Sequence, residues 1–302
     1  MTLQQLKYVV ATAEKGTVSE AAQSLFISQP SLTNAIRELE KEMNITIFIR
    51  TNKGITVSKE GEVFLGYARQ VLEQASLLEE KYCGKQHGKR QFCISTQHYS
   101  FAVNAFVDLI KEFGGDEYDF SIRETQTHEI IEDVARMKSE LGILYLNDFN
   151  RKVLTKLFAE SNLEFWPIQD CGIYVYLWKG HPLADKKEIA LEELEDYPCL
   201  SFDQGTNNSF YFAEEVLSTY QYKRLVRAND RATMLNLMVG LNGYTLCSGI
   251  LCEELNGEDY GAVRLKSDET MTIGYLKRKG IALSPLGQKY LEELRAVCHV
   301  SQ

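Results

Sequence analysis

The chain has 302 residues, of which 44% are hydrophobic and 25% charged, and its formal charge at neutral pH is −9. That composition excludes a disordered or fibrous chain, and the length exceeds what one small core organises, so two or three folding units are expected. No apolar run approaches the roughly 20 residues that span a bilayer, and the opening MTLQQLKYVV lacks the basic-then-apolar order of a secretory leader, so a cytoplasmic protein without a membrane partner is expected.

The charge is unevenly placed. Residues 1–90 hold 12 Lys and Arg against ten Glu and no Asp, a charge of +2, which leaves −11 on the other 212 residues. Any contact with a polyanion therefore belongs to the first segment. There Leu3, Leu6, Val10 and Ala13 recur at helical spacing until Gly16 ends the run. Thr17 followed by Glu20 is a capping-box signature, and Val18, Ala21, Ala22 and Leu25 give a second helix one apolar face. After Phe26 and Ile27, Ser28 caps a third helix with Pro30 in its first turn, where a missing N–H costs nothing. Leu32, Ile36, Leu39 and Met43 form its buried stripe.

Three short helices with so tight a turn match a helix-turn-helix. On the third, Gln29, Ser31, Thr33, Asn34 and Arg37 lie off the apolar stripe. Amides, hydroxyls and guanidinium groups near a helix N-terminus are the groups that pair with base edges in the major groove. The segment Ile45–Val57 alternates on both sides of Asn52, Lys53 and Gly54 and reads as a hairpin, a wing whose Arg50 and Lys53 can grip phosphates.

The run from Leu3 to Gly61, including LQQLKYVVATAEKGTVSEAAQSLFISQPSLTNAIRELEKEM and IFIRTNKGITVSKEG, resembles the winged helix-turn-helix of LysR-type transcriptional regulators, and the length of about 300 residues agrees. The resemblance implies that Ala21 and Ala22 pack the second helix on the third and that Gln29, Pro30, Thr33 and Asn34 read DNA. Asn34 stands where many members carry arginine, which leaves the preferred sequence open.

From Ser58 the chain runs to about Cys83 without proline, and Phe64, Ala68, Val71, Ala75, Leu78 and Tyr82 keep a heptad seam. A helix of this length is a rod of roughly 35 to 40 Å whose apolar seam needs a partner, and dimerisation would set two recognition helices on successive turns of one duplex face. The resemblance implies the same linker-mediated homodimer, commonly assembled into a homotetramer. Gly84 and KQHGKRQ read as a hinge.

Beyond it, strands alternate with helices as in an α/β unit. Strands are expected at Phe92–Thr96, Asp119–Glu124 and Leu141–Leu146, with helices at Phe101–Phe113 and Ile130–Lys138. After a break near Leu163, strands are expected at Gly172–Trp178, Pro198–Phe202, Lys223–Ala228, Gly243–Ser248, Ala262–Leu265 and Met271–Leu276. Helices are expected at Phe210–Thr219, Ala232–Leu241 and Pro285–Val297. The resemblance, which extends to KGHPLAD at Lys179–Asp185, implies a two-lobed α/β effector domain similar to type 2 periplasmic solute-binding proteins. The expected organisation is a winged helix-turn-helix at 1–58, a linker helix and hinge at 59–89, and an effector domain at 90–302, with lobe I at about 90–162 and 266–302 and lobe II at about 163–265.

A small ligand in such a domain sits between lobes, at strand ends and helix N-termini that favour negative charge. Two segments dense in hydroxyls and amides fit, Thr96–Ser100 and Ser201–Asn207. The resemblance implies effector contacts at Gln97, Tyr99, Ser100, Ser201 and Thr206, with Thr125, Gln126 and Tyr145 in support. The same hydroxyls can also serve as helix caps. His98 can carry a pH-dependent charge or a buried hydrogen bond, and Asp203 is awkward for an anion. The polar loops suggest an anionic or zwitterionic metabolite, and Thr96–His98 loosely resembles the sulfur-metabolism members of the family.

The expected function is a DNA-binding transcriptional regulator that binds double-stranded DNA and senses a small-molecule effector. Its alternative is a solute-binding module without DNA function. An enzyme is disfavoured, with no catalytic residues, cofactor or metal site expected. Walker, dinucleotide and nucleophile-elbow motifs are missing, His87, His98, His128, His181 and His299 are dispersed, and the pairs Glu79–Glu80 and Glu292–Glu293 read as solvated helix faces. Seven scattered cysteines (Cys83, Cys93, Cys171, Cys199, Cys247, Cys252, Cys298) read as reduced thiols.

Overall fold

The computed structural model describes residues 1–51, 54–83, 90–114, 117–252, 255, 257 and 259–300, with the backbone alone for residues 50, 51, 73, 77, 80–83, 299 and 300. The chain divides into two compact units, Met1–Gly88 and Lys89–Gln302.

The first unit begins with three helices, α1 (Leu3–Lys15), α2 (Val18–Ser24) and α3 (Gln29–Met43). Their ends follow from local chemistry. Thr2 and Gln5 form a reciprocal capping box at α1, and Gly16 closes it at φ 71°, a left-handed conformation that costs glycine little. The hydroxyl of Thr17 accepts the N–H of Glu20, and that of Ser28 accepts the N–H of Ser31. Val9, Ala21, Ala22, Leu32, Ile36 and Leu39 fuse the three helices into one core. Met43, read as the last member of the α3 stripe, is exposed.

The wing is the antiparallel pair β1 (Phe48–Thr51) and β2 (Gly54–Val57). It is shorter than the Ile45–Val57 hairpin because Glu40 of α3 takes the N–H groups of Ile47 and Phe48 at 2.7 and 3.0 Å. Helix α4 (Lys59–Cys83) starts at Ser58, whose hydroxyl accepts the N–H of Gly61 at 2.9 Å. A Cβ at Gly61 would lie 2.3 Å from the carbonyl oxygen of Ile47, so only glycine lets α4 approach the wing so closely.

The heptad seam of α4 divides in two. Ala68 is buried and Phe64 half-buried against the unit's own core, because the first half of α4 packs along α1. Val71 and Leu78 are 42% and 62% exposed, and Val63 and Tyr67 extend their stripe in place of Phe64 and Ala68. Ala75 is half-buried, and the side chain of Tyr82 lies outside the described residues. Most of the expected hinge, 84–89, lies outside them as well, while Arg90 and Gln91 already belong to a strand.

The second unit holds two lobes. Lobe I is a five-stranded sheet in the order β4-β3-β5-β13-β6, where β3 is Arg90–Thr96, β4 Tyr118–Glu124, β5 Leu141–Leu146, β6 Leu163–Gly172 and β13 Thr270–Arg278. The first three are parallel to one another, and β13 runs antiparallel between β5 and β6. Every residue of β5 is buried. Its side chains alternate between a cluster with α5 (Ser100–Phe113) and the C-terminal helix α9 (Pro285–Val300), and another with α6 (Thr127–Ala135) and α7 (Arg151–Glu160). A strand covered on both faces reads as the unbroken apolar run LGILYL.

Lobe II has the sheet β11-β7-β12-β8 and a parallel pair β9/β10, where β7 is Tyr174–Trp178, β8 Glu188–Ile189, β9 Cys199–Phe202, β10 Leu225–Ala228, β11 Thr245–Cys247 and β12 Tyr260–Leu265. Helix α8 (Arg231–Leu241) packs on β9 and β10. The chain crosses between lobes after Gly172 and returns after Leu265, and the two crossings meet where the N–H of Leu265 donates to Ile173 at 2.9 Å.

Three expectations need correction. Leu163–Gly172 belongs to lobe I, not lobe II. Its Pro167 is tolerated because β6 is an edge strand with a register shift at that point. Phe210–Thr219 is not an α-helix: a 3-10 turn at Phe210–Phe212 is followed by irregular chain with Leu217 at φ 57°. Helix α7 was not expected at all, since Leu154 and Phe158 are its only buried apolar side chains and its entry is a reciprocal turn between Asn147 and Asn150.

Candidate functional site

The first candidate is the exposed side of α3. Gln29, Pro30, Ser31, Asn34 and Arg37 are exposed, and Thr33 is half-buried. They share the outward face because Leu32, Ile36 and Leu39, at helical steps, hold the other face in the core. Ser31 is partly committed to the cap, its hydroxyl 2.7 Å from that of Ser28. Lys53 and the side chain of Arg50 lie outside the described residues.

The second candidate is a cavity of about 80 Å³ between the lobes of the effector unit. The lobe I wall is the β3–α5 junction, from His98 to Phe101, with Met271. The lobe II wall carries Tyr176, Phe202, Glu214, Glu215, Arg231 and Thr245, with apolar side chains from α8 and the chain after β11.

The predicted residues fall into two groups. Tyr99 and Ser100 line the cavity. Gln97 does not, because its amide is turned into the scaffold: Nε2 donates to Thr127 at 2.6 Å, and Oε1 accepts the Tyr99 hydroxyl and the Tyr145 N–H at 2.7 and 3.2 Å. Tyr145 sends its hydroxyl across to the carbonyls of Ala213 and Glu215, both at 3.1 Å. Ser201 donates to Glu215 Oε2 at 2.8 Å. Thr125 bonds to Glu129, the Gln126 side chain lies beside Gly205, and Thr206 is exposed away from the cavity. Gln97, Tyr145 and Ser201 thus brace the walls rather than line the space.

Sequence reasoning missed Glu214, Glu215, Arg231 and Thr245. Glu214, 5% exposed, is the keystone of the cleft. Its Oε2 accepts the backbone N–H of His98 at 2.9 Å and lies 2.8 Å from His98 Nδ1, while Oε1 accepts Gln204 Nε2 at 2.9 Å. Gln204 Oε1 in turn accepts the N–H of Thr127 at the start of α6. The His98 ring lies flat on Phe202, centroids 3.8 Å apart. Burial alone would lower the His98 pKa, but the hydrogen bond and charge of Glu214 outweigh it and raise it. Burial, reinforced by the charge of Glu214, pushes Glu215 up to about 8, so it holds its proton at neutral pH. Arg231 pairs with Glu124 of lobe I, and its Nε is buried without a hydrogen-bond partner, as is the hydroxyl of Thr245. The only sequence signal for the glutamates was an acid pair in the aromatic segment FYFAEEV, which a helical reading turns to solvent.

Burial raises the thiols of Cys171, to about 11, and of Cys247 and Cys298, each to about 12, and that of Cys199 further still. Among the described residues no three His, Cys, Asp or Glu side chains are grouped to hold a metal ion. No helix among them is long and apolar enough to cross a membrane.

Residues 3–62 match the family model of bacterial regulatory helix-turn-helix proteins of the lysR family, and residues 93–299 match that of the LysR substrate binding domain. The chain is similar to the hydrogen peroxide-inducible genes activator of Escherichia coli O6:H1, with 25% identity over 98% of this chain and 95% of that protein. Among solved structures, a full-length OxyR variant from Pseudomonas aeruginosa superposes with a TM-score of 0.67 at 20% identity, over 99% of this chain and 95% of the other. Full-length CbnR in complex with its target DNA gives a TM-score of 0.57 at 18% identity, over 98% and 100%.

Proposed function

The chain belongs to the lysR family of bacterial regulatory helix-turn-helix proteins, a DNA-binding transcriptional regulator with an effector-binding domain, and we propose that it acts in the cytoplasm as a homo-oligomer without catalytic activity. The observation that carries the regulatory reading is that a DNA-binding and a substrate-binding family model together cover residues 3–62 and 93–299 of one chain. In this reading Gln29, Pro30, Ser31, Thr33, Asn34 and Arg37 face the major groove, with Arg50 and Lys53 on phosphates. A ligand in the interlobe cavity favours one of two arrangements of the effector unit, and only a ligand that distinguishes them can shift the balance.

One relative is named for induction by peroxide. Here reversible binding is the reading we favour for the cleft, and the raised thiols of Cys171, Cys199, Cys247 and Cys298 leave little reactive thiolate at those four positions.

Fluorescence anisotropy against fragments of the chain's own promoter region, over a range of salt, tests the regulatory reading. Binding is expected to prefer one fragment over random duplex and to weaken steeply with salt as counterions are released. Equal affinity for all duplexes at every salt concentration sinks it.

The exposed stripe of α4 carries the oligomer. Val71→Asp with Leu78→Asp places charges on side chains that already face solvent, so the unit still folds while a partner helix is repelled. Light scattering is expected to give the mass of one chain for the double variant and at least two for the parent; an unchanged mass rejects the seam.

A further inference from the structure

The chemistry of the cavity narrows the class of effector, an inference that rests on reading the interlobe cleft as the sensing site. Three donors face the cavity with no acceptor to meet them. Thr245, 7% exposed, has a buried hydroxyl without a partner, and the Nε of Arg231 is in the same condition although its Nη2 is held by Glu124. Ser100, 8% exposed, opens α5, where the Ala102 N–H reaches the Tyr99 carbonyl at 3.1 Å but Tyr99 supplies no side-chain cap, so the N–H groups of Ser100 and Phe101 have no intrahelical partner. An unmet buried donor is costly until an acceptor arrives, and a carboxylate is the group that meets several at once.

The same cavity also carries acceptor capacity. Glu214 spends three contacts on His98 and Gln204 to join the lobes, while Glu215 accepts Ser201, the Phe202 N–H and its own backbone N–H and, once ionised, has room for one more donor among a carboxylate's roughly four lone-pair sites. A ligand that was only an acid would set its charge beside these two carboxyls, and a ligand that was only an amine would leave the donors unmet. An ammonium group beside Glu215 would instead hold it ionised, against the burial that now raises its pKa. Beside Tyr176, Cys247 and Ser248, the wall carries the aliphatic side chains of Met234, Leu235, Leu246, Ile250, Leu251 and Met271, and the space is small.

We propose that the cleft binds a small zwitterion with a short aliphatic side chain, the chemistry of a neutral apolar α-amino acid, its carboxylate on Ser100, Thr245 and Arg231 and its ammonium on Glu215.

The test is calorimetry on the full chain with three probes of one carbon skeleton: L-leucine, isocaproate, which lacks the amine, and isoamylamine, which lacks the carboxylate. Leucine is expected to bind at least about tenfold more tightly than either analogue, since losing a charged hydrogen-bond partner costs about 1.5–3 kcal/mol. Thr245→Val, a change of similar shape, should weaken leucine several-fold, and Glu215→Gln should bring leucine down to the affinity of isocaproate. Far-UV dichroism establishes that each variant is folded. Isocaproate binding as tightly as leucine, with Thr245→Val weakening both, overturns the zwitterion and leaves the cleft as the site. Absence of binding by all three probes overturns the ligand class. Leucine bound with unchanged affinity by both folded variants overturns the ligand class and the cleft reading together.

Discussion

Glu214→Gln lowers the thermal unfolding midpoint of the effector unit by about 6 to 12 °C, the equivalent of about 3 kcal/mol for a unit of this size. The carboxylate accepts from His98 N–H and Gln204 Nε2 and pairs with His98 Nδ1, all in a buried setting. A glutamine presents one acceptor and one donor end, so a buried donor is left facing a donor, and His98 loses the charge that keeps its pKa up. Far-UV dichroism of parent and variant checks this, and a drop smaller than about 2 °C refutes the keystone role.

The same cluster fixes the sign of the pH dependence. His98 has a folded pKa above its ordinary 6.5, so its stabilising contribution is complete below that value and is lost as pH rises through the folded pKa. Glu215 is raised from 4.5 to about 8, so between those values the unfolded chain releases a proton that the folded chain keeps, and stability again falls with rising pH. Burial raises Glu124 and Glu140 in the same sense, while the half-buried Glu164 and Glu193, each bonded to a lysine, and the exposed Asp230, bonded to Thr233, are shifted the other way. Unfolding midpoints measured from pH 5 to 9 are expected to decline toward pH 8, and Glu215→Gln to flatten that decline. A parent chain that gains stability across this window contradicts the assignment.

Gln29→Ala weakens binding to the chain's operator about 5- to 150-fold and leaves binding to random duplex nearly unchanged, because an amide paired with a base edge is worth about 1–3 kcal/mol of discrimination. Gln29 is exposed at the start of α3, so its removal leaves the helical core of Val9, Leu32, Ile36 and Leu39 intact. Thr33→Ala is expected to act in the same direction; being half-buried, it needs an unfolding control. Anisotropy titrations on operator and random duplexes separate the outcomes, and an equal loss on both would move these residues from base edges to phosphates.

What could be read directly from the residues was whatever local chemistry controls. Thr17 and Ser28 cap where the hydroxyl spacing says they should, Gly16 ends α1, and the stripe Leu32, Ile36, Leu39 turns the polar face of α3 outward. The run LGILYL announced a strand, which the structure shows buried along its whole length. The sequence alone therefore determined the DNA-binding head, the rod behind it and an alternating α/β remainder, because capping and periodicity act over a few residues.

The cleft was settled only by distant parts of the chain. Glu214 meets His98 across 116 positions, Arg231 meets Glu124 across 107, and Tyr145 reaches Glu215 across 70. These attachments pull the segment after Phe212 out of the helix its pattern suggests, since hydrogen bonds to buried backbone groups outweigh a weak helical preference. The same principle commits Gln97 to the scaffold and leaves Thr245 without a partner, an assignment no spacing rule contains. Edge position likewise gave Leu163–Gly172 to lobe I despite its proline. Tertiary structure alone decided which polar groups are spent on holding the lobes and which still face the cavity, because hydrogen-bond satisfaction is a property of the folded neighbourhood and not of the residue.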